Sequence, residues 1–177
     1  MKKGTEKILF LVADEYEDLE LHYPRLRLLE AGKEIAIAGE KKDTTYKSKH
    51  GYPAKATLAF DAVSVSDFTA IVIPGGFAPD TLRANPAVLN IMRQFNEQKK
   101  LIAFICHAGW VPASAKILKG VKCTSYHTMK DDMINAGANW VDEEVVVDKN
   151  IISSRCPDDL PKFCAAILKY LTENPKS

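Results

Sequence analysis

The chain has 177 residues, 46% of them hydrophobic and 27% charged, with a formal net charge of +1. That length suits one domain, residues 1–177, able to bury roughly 70% of its unfolded surface without metals or disulfides. The near-neutral balance without a long basic tract argues against nucleic acid, and no apolar run approaches a membrane span.

Ile8 to Val12 is a continuous apolar run and reads as a buried strand. It is too short for a signal-peptide core and leads into acids at positions 14, 15, 17 and 18. Leu19, Tyr23, Leu26 and Leu29 then form a helical stripe, predicted to face inward, ending at Gly32. Glu34 to Ala38 is a second strand, and residues 43–60 read as a surface hairpin or irregular excursion. Thr69 to Ile73 is a strand stopped by Pro74-Gly75-Gly76, and Asn85-Pro86 caps a helix running to about Gln98. Leu101 to Ile105 is a strand, followed by a helix over Val111 to Leu118 and a short strand from Val121 to Ser125. Thr128 is the expected cap of a helix ending at Gly137. Glu144–Val147 and Ile151–Ser153 make a strand pair turned by Asp148-Lys149-Asn150. Leu160, Phe163, Ile167, Tyr170 and Leu171 line the inner face of a last helix. Continuous apolar strands alternating with helices predict an α/β fold, a parallel sheet covered on both faces.

Ligands of such sheets bind beyond the carboxyl ends of the strands. Those ends carry the acids at 14–18, then Pro74-Gly75-Gly76-Phe77, Cys106-His107, Tyr126-His127 and Ser154-Arg155-Cys156. Cys106 stands where a buried strand turns into a helix, the geometry of a nucleophile elbow. A helix N-terminus and a neighbouring imidazole both favour thiolate there. Gly75 and Gly76 lack a Cβ, so with the amide of His107 they are candidates for an oxyanion hole. The acids at 14–18 either complement the dipole of the helix that follows or, for one of them, point back over the sheet edge to bond the sulfur. His22 and His50 read as surface residues, and Cys123, Cys156 and Cys164 as packing residues. The four cysteines show no CxxC pair or ordered histidine spacing, so no zinc site is expected and a reducing, cytoplasmic compartment is. Neither GxGxxG nor GxxxxGKS/T occurs, and no cofactor is expected.

The motifs Asp14-Glu15-Tyr16-Glu17-Asp18-Leu19-Glu20, His50-Gly51-Tyr52, Ile73-Pro74-Gly75-Gly76, Ile105-Cys106-His107 and Thr124-Ser125-Tyr126, with Asp131-Asp132-Met133-Ile134-Asn135-Ala136-Gly137, together resemble the ThiJ/PfpI family. Within it the chain is most similar to the PfpI intracellular endopeptidase branch, from residue 7 to the last helix. The resemblance implies a flavodoxin-like three-layer sandwich related to class I glutamine amidotransferases. It implies Cys106 as the elbow nucleophile, Glu17 as the buried acid contacting its sulfur and His107 as the adjacent base. It further implies the amides of Gly76 and His107 as oxyanion donors. The acid completing a Cys-His-acid triad is supplied in that branch by a neighbouring subunit and matches Asp80, one methylene shorter than the usual glutamate. A homodimer or homohexamer follows from that. Two further departures bear on the pocket. Ala108-Gly109-Trp110 follows His107 where the branch has Gly-Pro, placing Trp110 in the pocket wall, and His127 beside Tyr126 replaces a frequent proline.

The expected activity is that of a cysteine-dependent hydrolase or lyase acting on small reactive carbonyls, glyoxalase- or deglycase-like, or on peptides. The alternative is a redox-sensing or chaperone-like stress protein using an oxidisable Cys106. An amidotransferase is disfavoured, because His127 is followed by Thr128-Met129 and not by the needed x-Glu.

Overall fold

The computed structural model describes residues 6–175. The chain runs β1 (Lys7–Leu11), α1 (Asp18–Glu30), β2 (Glu34–Gly39), β3 (Thr45–Lys47), β4 (Pro53–Lys55), β5 (Leu58–Ala59) and β6 (Ala70–Ile73). It continues through α2 (Ala78–Ala84), α3 (Pro86–Glu97), β7 (Leu101–Ile105), α4 (Trp110–Ser114), β8 (Lys122–Cys123) and α5 (Lys130–Asn135). It ends with β9 (Asn139–Trp140), β10 (Val145–Asp148), β11 (Ile151–Ser154) and α6 (Leu160–Glu173).

Seven strands form one sheet in the order β10-β11-β7-β6-β1-β2-β5, parallel except for β10 at one edge. β1 is parallel to both β2 and β6, with Leu9 in register with Ala36 on one side and Ile71 on the other. β7 is parallel to both β6 and β11, and Ala103 lies between Val72 and Ile152. β1, β6 and β7 are almost wholly apolar because both their faces are covered. The step from β1 to β2 runs along the sheet in one direction and the step from β6 to β7 in the other. Right-handed crossovers therefore put α1 and α3 on opposite faces. α1 packs on α6 and α3 on β7 and α4, completing the flavodoxin-like sandwich. The reversal between β1 and β6 is a topological switch point, and such folds open their ligand crevice there.

Several expectations are corrected. The stripe Leu19, Tyr23, Leu26 and Leu29 faces solvent at 56, 40, 55 and 42% exposure, while Glu20, Leu21, Pro24 and Leu28 are buried. α1 has apolar residues on two faces, and the sheet selects the one offering Leu21, Pro24 and Leu28. Residues 43–60 include an antiparallel hairpin of β3 and β4, whose Tyr46 and Ala54 are buried, and then the edge strand β5. The helix expected over 111–118 is α4 alone, since Lys116 takes a left-handed φ of 61° just beyond it. The Val121–Ser125 strand shrinks to β8, which pairs with β9 outside the main sheet. Thr128 does not cap α5: it lies inside a tight turn, His127–Met129. Asn85 is a cap as expected, accepting a bond from the Ala87 N–H at 2.9 Å. Among the described residues, no helix is long and apolar enough to cross a membrane.

Candidate active site

β7 delivers Cys106 to the sheet's carboxyl edge. Ile105 is still extended at φ −134°, but Cys106 flips to φ +60°, and a tight helical turn, Cys106–Gly109, follows at once. A left-handed cysteine costs about 1–2 kcal/mol, a strain that sites of function tend to retain. This kink brings neighbouring side chains together that a regular helix would keep apart. Cys106 Sγ lies 3.2 Å from His107 Nδ1, and the residue is only 8% exposed.

The Gly75-Gly76 turn closes over the sulfur from β6. A Cβ on Gly75 would sit 2.6 Å from Glu20 Oε2 and 2.8 Å from Cys106 Cβ, so no other residue fits. Gly76 takes φ +77°, and a Cβ there would lie 2.4 Å from the Glu15 carbonyl oxygen. The backbone N–H groups of Gly76 and His107 stand near enough to the Cys106 sulfur to hold its pKa down. Two amide donors thus converge on the nucleophile, the arrangement an oxyanion needs.

The carboxyl at the sulfur belongs to Glu20, not to Glu17. Glu20 is fully buried beside Cys106 and accepts the Gly75 N–H through Oε2 at 2.7 Å, while its Oε1 has no hydrogen-bond partner among the described residues. Glu17 stands at the N-cap position of α1 with no side-chain capping bond, and its carboxylate turns to the rim, 2.9 Å from Lys49 Nζ and 3.8 Å from His50 Nε2. Helix geometry explains the difference. Glu20 shares the buried face with Pro24 and Leu28, at intervals of four, whereas Glu17 precedes the first turn. Reading the stripe through positions 20, 24 and 28 would have found it.

Burial pushes the Glu20 carboxyl up to about 8, helped by the nearby Glu17 charge and opposed by the Gly75 N–H. Burial, and then the Glu20 charge, also push the Cys106 thiol up, opposed by the N–H groups of His107 and Gly76. Two buried acids in contact cannot both ionise, so across neutral pH the pair retains at least one proton. Burial lowers the His107 imidazole, as do the charges of Lys49 and His127, so it stands neutral and able to accept a proton.

An aromatic wall completes the site. The His107 ring lies 5.3 Å from Trp110 and 5.1 Å from Tyr126, and Tyr126 lies 4.5 Å from His127. Trp110 is fixed by Nε1 donating to Asp132 at 2.9 Å, with the Arg83 guanidinium over its ring. The structure thus gathers Cys106, His107, Gly75, Gly76, Trp110, Tyr126 and His127. It leaves Asp80 out: that residue lies exposed in the first turn of α2, with no hydrogen bond to His107 among the described residues. Sequence reasoning missed Glu20 and Lys49, while His50 is exposed as expected.

Glu17, Asp18 and His50 offer ligand atoms within 4.8 Å of one another. However, Asp18 already accepts bonds from Ser48 and from the backbone N–H groups of His50 and Tyr52, and Glu17 is paired with Lys49. The cluster ties the loop after β3 to α1. A separate hollow of about 390 Å³ opens near Asp14, Tyr46 and Thr81, and none of the groups touching Cys106 lines it.

The sequence profile of the DJ-1/PfpI family matches residues 6–170. "Deglycase PH1704" of Pyrococcus horikoshii is 48% identical over 93% of this chain and 99% of its own length. "Putative cysteine protease YraA" of Bacillus subtilis is 42% identical over 94% of this chain and 99% of its own. A two-domain protein of Anabaena variabilis with DJ-1/ThiJ/PfpI-like and ferritin-like domains superposes with a TM-score of 0.93 at 38% identity. That match covers 95% of this chain and 48% of the larger protein. Together with the elbow cysteine, the glycine turn and the buried glutamate, these likenesses show that the chain belongs to the DJ-1/PfpI family.

Proposed function

We propose that this protein is a cysteine-dependent hydrolase or lyase of small reactive carbonyl compounds, with deglycase- or glyoxalase-type chemistry. The observation that carries this reading is the contact set of Cys106 with Glu20, His107 and the Gly75-Gly76 turn. A neutral imidazole 3.2 Å from the sulfur is placed to take the thiol proton as Sγ bonds an aldehyde carbon. The N–H groups of Gly76 and His107 then hold the oxygen of the hemithioacetal. With an α-oxoaldehyde, the aldehyde hydrogen moves as a proton through an enediol to the neighbouring carbon. The aldehyde carbon is oxidised to a thioester while the ketone carbon is reduced to an alcohol. Water releases the hydroxy acid and returns the thiol, so the electrons balance within the substrate. Glu20 keeps its proton through this cycle and supplies a hydrogen bond to the sulfur.

The enclosure of Cys106 under the aromatic wall favours such a small substrate over an extended peptide. Asp80 we assign to the His107 of a second subunit, because it is exposed and does not serve its own. A reducing cytoplasm suits the four free cysteines.

The test is loss of methylglyoxal, and of its adducts with free amines and thiols, by the purified protein beside a peptide assay. Cys106→Ala is expected to abolish carbonyl turnover with the circular dichroism spectrum unchanged. A wild-type protein inert to these carbonyls, yet converted by peroxide to a Cys106 sulfinic acid, would overturn the enzyme reading in favour of an oxidation sensor.

A further inference from the structure

Lys49 brings a permanent cation to the site that the carbonyl addition does not use. Its place is fixed by backbone pairing. Ser48 bridges to Tyr16, Tyr16 bridges on its other side to Gly76, and the Lys49 N–H donates to the Tyr16 carbonyl at 3.0 Å. The Glu17 N–H donates to Gly75 O at 3.2 Å. The segments 48–49, 16–17 and 75–76 therefore lie side by side, and the last abuts Cys106. At the outer end of this row, Lys49 Nζ is 2.9 Å from Glu17 Oε2 and 5.8 Å from the centre of the Phe77 ring. Phe77 follows the glycine turn and is 66% exposed, so the ammonium stands at the rim on the side of the predicted oxyanion donors.

Glu17 does two things for this ammonium. Their hydrogen bond raises its pKa, keeping it charged, and it fixes the stem while, among the described residues, engaging one of the three N–H donors. The remaining donors are free to meet an anion, and the charge is felt at Cys106, Glu20 and His107. Of the acids nearest the sulfur, Glu20 is protonated and Glu17 is paired, so an entering anion meets no unpaired carboxylate there.

We propose that Lys49 is a cationic subsite that selects carbonyl substrates carrying a carboxylate, holding it while the carbonyl carbon meets Cys106. This rests on the carbonyl reading for the identity of the substrate, though not for the existence of the anion subsite. The competing account is that Lys49 only ties the loop after β3 to α1.

Two alkylating agents of similar size and opposite demand separate these accounts. Iodoacetate carries a carboxylate and iodoacetamide does not, while both attack the same thiolate, so any change in thiol acidity cancels in the ratio of their rates. The iodoacetate-to-iodoacetamide ratio at Cys106 is expected to exceed that of a free cysteine peptide by about tenfold, as one partly exposed charge at the rim of the site allows. Lys49→Met should bring it down to the peptide value, Lys49→Arg should keep it, and added salt should lower it in the wild type. A second arm compares kcat/KM for dioxovalerate, an α-oxoaldehyde ending in a carboxylate, with that for methylglyoxal. The ratio should fall by about tenfold in Lys49→Met, through KM. An alkylation ratio that Lys49→Met leaves unchanged overturns the subsite, whether or not the carbonyls are consumed. Wild-type protein inert to both carbonyls, with an alkylation ratio still governed by Lys49, overturns the carbonyl reading and upholds the anion subsite.

Discussion

Replacing Glu20 by glutamine should make the protein more stable at neutral pH. The carboxyl has an ordinary value of 4.5 in an unfolded chain and is pushed up to about 8 by burial in the fold. Between those two values the native state holds a proton that the unfolded state has lost, so stability falls as pH rises through that window. At pH 7 the accumulated loss is about 3 kcal/mol, from 1.36 kcal/mol for each unit between 4.5 and 7. Glu20→Gln removes the titration. Its amide oxygen can still accept the Gly75 N–H, and its amide nitrogen can still donate to the sulfur. Wild type and variant should therefore match in urea denaturation near pH 4.5 and diverge steadily towards pH 8, the variant ahead. In a domain of this size the gap at pH 7 corresponds to roughly 6–12 °C in Tm. Glu20→Leu, by contrast, strands the Gly75 N–H and should cost about 1–3 kcal/mol at low pH. Stability profiles of wild type and Glu20→Gln that run parallel from pH 5 to 8 would refute the claim that this carboxyl is held protonated.

Further outcomes follow from the geometry. Gly75→Ala drives a methyl against both Glu20 and Cys106, and should abolish carbonyl turnover while costing about 1–3 kcal/mol, read by urea denaturation. The exposed stripe Leu19, Tyr23, Leu26 and Leu29 should be covered by a second copy, so light scattering is expected to give at least a dimer. Leu26→Glu should weaken it, and Asp80→Ala should lower activity without changing oligomer size; a wild-type monomer, or a fully active Asp80→Ala, would remove the intersubunit acid.

The sheet was legible because β1, β6 and β7 are short unbroken apolar runs bounded by turn residues, which little but a doubly covered strand explains. Cys106 was legible for the same reason, standing at the end of the most sharply bounded of those runs. α1 was not. Its two apolar faces satisfy helical spacing equally, and the contest between Leu21-Pro24-Leu28 and Leu19-Tyr23-Leu26-Leu29 is decided only by the sheet beneath. Glu17 was named from the family resemblance, and the outer stripe left the buried position of Glu20 unread. Lys49 was hidden for a different reason. Its position at the site depends on an isolated bridge between residues 16 and 48, a pairing of distant segments without local pattern.

Three locally unfavourable features meet in one place. Cys106 adopts a backbone conformation suited to glycine, a carboxyl is buried whole, and a glycine pair gives up side-chain packing to let them touch. Each is unfavourable alone, by about 1–3 kcal/mol for the strain and for a buried polar group. A structural role for Glu20 would be met more cheaply by a leucine at 20 and an ordinary residue at 75. A structural role for Cys106 would not require φ +60°. The costs become mutually supporting only if the sulfur must be accessible, facing two amide donors, and paired with a proton that it does not itself have to hold. The fully buried strands β1, β6 and β7 supply the stability that lets this edge stay strained. That is why Glu20→Gln, which keeps the hydrogen-bonding groups and drops the proton uptake on folding, should strengthen the fold at neutral pH while leaving the strained edge in place.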